Sequence, residues 1–126
     1  MKKRVMIVDD SRVMEMQIQR LLEGSEFEVA AYCDNGEDAI RRYGEIRPDV
    51  VTMDIIMPGL DGLETAQVIL REHPDARIVM ISALGYDDAR NEATAIGIRQ
   101  FLHKPFDRED LLTALAGACC TPCPGR

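Results

Sequence analysis

Three short apolar runs constrain this chain most, because none of them alternates with polar residues: Val5-Met6-Ile7-Val8, Val50-Val51-Thr52-Met53 and Ile78-Val79-Met80-Ile81. A strand with one face in water alternates. A strand covered on both faces reads as a continuous apolar run, as in the middle of a parallel sheet. Two weaker segments, Phe27 to Tyr32 and Gln100 to His103, mix polar and apolar residues and read as edge strands.

Helical spacing fills the gaps. Met14, Ile18, Leu21 and Leu22 share one face, as do Ala39, Ile40 and Tyr43, and Leu63, Ala66, Ile69 and Leu70. Ala89, Ala93 and Ile96 form a fourth stripe and Leu111, Leu112 and Leu115 a fifth. Gly24, Pro48, Pro74 and Gly97 follow helical patterns, and Asp61-Gly62 marks a turn before the third. Strand and helix therefore alternate five times. That order predicts an α/β three-layer sandwich with a five-stranded parallel sheet and five helices. Three buried strands between two edges fit the flavodoxin-like order 2-1-3-4-5.

The 126 residues suit one domain, placed at 1–118. After Gly117 the composition shifts, and 119–126 reads as a disordered tail carrying Cys119, Cys120 and Cys123. The cysteines do not form a disulfide framework. With 15 Lys and Arg against 22 Asp and Glu, the net charge is -7. So acidic a chain is a poor direct binder of nucleic acid, which requires cations against phosphates. No apolar run is long enough for a membrane span and no signal peptide is evident, so the cytoplasm is the expected location.

In open α/β sheets, sites form beyond the carboxyl ends of the strands. Strand 1 ends in Asp9-Asp10, strand 3 in Asp54, strand 4 in Ser82-Ala83 and strand 5 in Lys104-Pro105. Three carboxylates in one pocket repel and raise one another's pKa, so a positive charge must offset them. Mg²⁺ suits such oxygen ligands, and Lys104 adds a fixed charge. A carboxylate, a metal and cations aimed at the moving charge are the requirements of phosphoryl transfer to an aspartate. Read singly, each piece also has a structural role open to it. Asp9-Asp10-Ser11 can cap a helix, Asp54 can open the turn before Pro58-Gly59, Ser82 can end a strand and Lys104 can be a solvated lysine. Their combination at four strand ends favours the site.

At these residues the chain resembles the response-regulator receiver domain of two-component signalling, most nearly its stand-alone, chemotaxis-type members. The matching stretches are Val5 to Ser11, Asp49 to Pro58, Asp61-Gly62, Ile81-Ser82-Ala83 and Phe101 to Phe106. The resemblance implies that Asp54 is the phosphoacceptor, charged by a phosphohistidine on a sensor kinase. Asp10, Asp9 (largely through water), Asp54 and the Ile56 backbone carbonyl would hold Mg²⁺. Lys104 and Ser82 would contact the phosphoryl group, and the Lys104-Pro105 bond would be cis. Ser82 and Phe101 would switch, and the surface of helix 4, strand 5 and helix 5 would report to an unknown output protein. Such a chain is not a turnover enzyme; it catalyses only its own phosphorylation and dephosphorylation. Ile56 and Leu84 are apolar where some relatives carry polar groups, which implies slow loss of the phosphoryl group.

Three other readings compete. Haloacid dehalogenase-type phosphatases place their aspartates as Asp-x-Asp on strand 1, whereas Asp9 and Asp10 are adjacent here. A nucleotide- or flavin-binding module needs a glycine- or hydroxyl-rich phosphate loop, and this loop opens with two acids. Cys120-Thr121-Pro122-Cys123 is a C-x-x-C, but it lies in a terminal tail rather than opening a helix after a strand.

Overall fold

The computed structural model describes residues 2–82 and 87–120, so Leu84 and Cys123 lie outside the described residues. The element order is β1 (Lys3–Val8), α1 (Arg12–Leu22), β2 (Phe27–Cys33), α2 (Gly36–Ile46), β3 (Val50–Asp54), α3 (Gly62–Glu72), β4 (Ile78–Ser82), α4 (Asp87–Ala95), β5 (Gln100–His103) and α5 (Arg108–Cys120). The five strands are parallel and run in the order β2-β1-β3-β4-β5. This is the order the apolar runs predict.

The continuous runs follow from two cores, one on each face of the sheet. Met6, Val8, Val51, Met53, Ile78 and Met80 face a core completed by Ala39 and Tyr43 of α2, Ala66 and Ile69 of α3, and Ala93 of α4. Val5, Ile7, Val50, Val79 and Ile81 face the other, completed by Ile18 and Leu22 of α1 and Leu111 and Leu115 of α5. Successive strand residues point to opposite faces, so strands buried on both sides need apolar residues at every position.

Sequence-local chemistry sets the helix starts. Ser11 caps α1, its side chain accepting from the Met14 amide at 3.3 Å. Asn35 caps α2, accepting from the Asp38 amide at 2.8 Å. Asp61 and Glu64 form a reciprocal capping box at α3. Helix α5 continues through Cys120, so the boundary drawn after residue 118 falls inside a helix. Leu111, Leu115 and Ala118 are buried along it, and that packing carries the last turn past the compositional shift.

The amino-terminal end of the sheet is tied by Arg4. Its side chain donates to the carbonyl oxygens of Ile46 at 2.7 Å and Arg47 at 3.4 Å, while its amide donates to Asp49 Oδ2 at 2.7 Å. Arg47 ends α2 in the left-handed region, φ 49° and ψ 62°.

Candidate functional site

The site lies where β1, β3, β4 and β5 end. Asp54 is the last residue of β3, level with Ile81 of β4. Ser82 ends β4 level with His103, and the Lys104 amide donates to the Ser82 carbonyl at 2.9 Å. That bond brings the residue after β5 into the same corner. The Lys104-Pro105 bond is cis, and Phe106 is buried in the α1/α5 core.

Asp9, Asp10 and Asp54 each offer a carboxylate oxygen, and these atoms lie within 4.8 Å of one another. Asp9 and Asp54 are buried while Asp10 is exposed. Lys104 Nζ lies 3.4 Å from Asp54 Oδ1 and 4.0 Å from Asp9 Oδ2.

Both readings of Asp9-Asp10-Ser11 hold in part. Asp9 Oδ1 accepts from the Ser11 amide at 2.8 Å, next to the helix cap. That use engages one oxygen only. Asp9 Oδ2 is buried and accepts no hydrogen bond, although Asp9 is only 1% exposed. A carboxylate held this way resists ionisation. Burial is the main reason that the Asp9 pKa rises from 3.8 to about 6; Asp54 and Asp10 push it further up, while the Ser11 amide and Lys104 pull it down. Burial likewise raises Asp54, with Lys104 opposing and Asp10 reinforcing. The donor set fits a hard divalent cation: three carboxylates from two strand ends, one with a free buried oxygen, and a single nearby ammonium that does not reach hydrogen-bonding distance of that oxygen.

The remaining sequence-predicted residues lie on β4 and β5 or just past the end of β3. Ser82 is 6% exposed, and its Oγ lies 3.5 Å from His103 Nδ1. Ile56 stands two residues beyond Asp54 and is 54% exposed. Phe101 is half-buried against the α2/α3/α4 core, with the Arg90 guanidinium 4.7 Å from its ring centroid.

The response regulator receiver domain family matches residues 5–116. The chain belongs to that family. The receiver domain is 39% identical over 115 residues to the chemotaxis protein CheY of Listeria monocytogenes, covering 91% of this chain and 97% of that one. It is 40% identical over 115 residues to the CheY of Bacillus subtilis, covering 91% and 96%. The solved CheX-CheY-BeF3-Mg complex of Borrelia burgdorferi contains a chain that superimposes with a TM-score of 0.87 at 30% identity, covering 95% of this chain and 90% of that chain.

Two features of the structure escaped the sequence reading. One is the Ser82–His103 contact; aligning the ends of the two predicted strands would have set these residues opposite each other. The other is Glu15, buried on the inner face of α1 beside Ile18 and Leu22. It pairs with Arg12 at 3.2 Å and accepts from Gln19. A glutamate at a core-facing helix position gives no sequence signal of its own.

Among the described residues no helix is long and apolar enough to cross a membrane.

Proposed function

We propose that this receiver domain is a phosphorylation switch that takes a phosphoryl group onto Asp54 from a phosphohistidine on a sensor kinase. The observation that carries this reading is the buried Asp9 Oδ2 without a hydrogen-bond partner, in a carboxylate group with Asp10 and Asp54. Mg²⁺ would be held by Asp9, Asp10, Asp54 and the Ile56 backbone carbonyl. When bound, it would neutralise charge on the phosphoryl oxygens.

The chain's own residues do the rest. An Asp54 carboxylate oxygen attacks phosphorus; the phosphorus–nitrogen bond to histidine breaks as the phosphorus–oxygen bond to Asp54 forms. Lys104, already paired with Asp54 at 3.4 Å, moves its charge onto the arriving oxygens. Ser82 donates its hydroxyl proton to one of them, and Phe101 follows into the space released. The added charge biases a two-state equilibrium, which the surface of α4, β5 and α5 reports to an output protein. The Borrelia relative, solved with CheX, supports a protein as the kind of partner to expect.

Incubation with acetyl phosphate and Mg²⁺, followed by intact mass, should add one phosphoryl group to the wild type. Asp54→Ala should acquire none, and EDTA should block the wild type. Equal labelling of Asp54→Ala would sink the reading.

The exposed Ile56 side chain offers no hydrogen bond to a water approaching the phosphoryl group. Replacing it with Asn or Glu should accelerate dephosphorylation, followed as loss of the phosphorylated mass after the donor is removed. An unchanged rate would count against this role.

A further inference from the structure

We propose that His103 is a positioning residue for Ser82, holding the serine hydroxyl in the unphosphorylated protein and competing with the phosphoryl group for its proton. This rests on the proposed function, in which Ser82 donates to a phosphoryl oxygen. Two observations place the pair together. Ser82 and His103 end neighbouring parallel strands at the same register position, and Ser82 Oγ lies 3.5 Å from His103 Nδ1. The Lys104 amide bond to the Ser82 carbonyl locks that register.

Ser82 is buried, and a buried hydroxyl needs a partner. It carries one proton, and a neutral imidazole with its own proton on Nε2 accepts it at Nδ1. A phosphoryl oxygen on Asp54 requires the same proton. Activation therefore includes breaking the Ser82–His103 contact. His103 itself is exposed and can swing away without opening the core, so the contact acts as a light restraint on the switch.

The test is calorimetric titration of the intact protein with beryllofluoride in the presence of Mg²⁺, beryllofluoride standing in for the phosphoryl group. His103→Ala frees the hydroxyl and should tighten binding roughly twofold to tenfold, the span of a neutral hydrogen bond. His103→Asn, whose side-chain oxygen can take the place of Nδ1, should restore the wild-type affinity. In a Ser82→Ala background, His103→Ala should change nothing. An effect of equal size in that background, or no tightening at all, overturns the inference while leaving the proposed function standing. Failure of the wild type to bind beryllofluoride overturns both.

Discussion

Gly62→Ala should destabilise the protein by about 3 kcal/mol and slow phosphorylation of Asp54 at least tenfold. Gly62 opens α3 directly against the end of β3, its amide donating to the Ile55 carbonyl at 2.7 Å. A Cβ at this position would overlap the Asp54 carbonyl oxygen and lie 2.8 Å from Ile55 Cα and 2.9 Å from the Asp54 carbonyl carbon. These are backbone atoms and cannot rotate aside. Either the start of α3 lifts, breaking the amide bond and disturbing the Asp61–Glu64 capping box, or the Asp54 backbone shifts. The second response moves Asp54, the proposed nucleophile, and displacements near 1 Å cost about a hundredfold in rate. Urea unfolding reads the first effect and acetyl phosphate labelling the second. A variant with wild-type stability and rate would show that α3 can yield to the added methyl without disturbing β3.

Asp9→Asn should make the metal-free protein more stable at neutral pH while abolishing Mg²⁺ binding. The unfolded chain releases the Asp9 proton near 3.8, the folded chain near 6. Between those values the native state retains a proton that the unfolded state has lost. Stability therefore falls as pH rises through the window and stays lower above it. At about 1.4 kcal/mol per tenfold change in proton affinity, ionising Asp9 costs the native state up to about 3 kcal/mol at pH 7. Asparagine removes that cost and can still accept from the Ser11 amide. Urea denaturation without metal should thus lose part of its pH dependence between 4 and 6 in the variant. Added Mg²⁺ should stabilise the wild type at pH 7.5 and leave Asp9→Asn unmoved. A variant no more stable than wild type at that pH would show that Asp9 is better solvated than its burial implies.

The fold was legible because burial on both faces leaves a strong sequence trace. A short unbroken apolar run such as Val5 to Val8, closed by two acids, suits a central strand far better than a helix or a surface strand. Strand ends then locate a site without any knowledge of side-chain geometry. Asp9, Asp54, Ser82 and Lys104 were readable for that reason. What escaped depends on distances across the fold. Gly62 read only as part of a turn, because its approach to Asp54 is a tertiary contact. Glu15 interrupts an apolar face with a charge that Arg12 and Gln19 partner. The extent of α5 was misjudged because Cys119 and Cys120 resemble their Pro-containing continuation in composition more than the helix that they complete.

Arg4 has a wider consequence. At its end of the sheet, Arg4 ties β1 to the last carbonyls of α2 and to Asp49; at the other end, like charges crowd together. The like-charged carboxylates gather at the rim where a cation can relieve them, while the opposite rim is held by short-range hydrogen bonds. On the proposed function, filling the upper rim would change its charge while the Arg4 ties hold β1, α2 and Asp49 together below it.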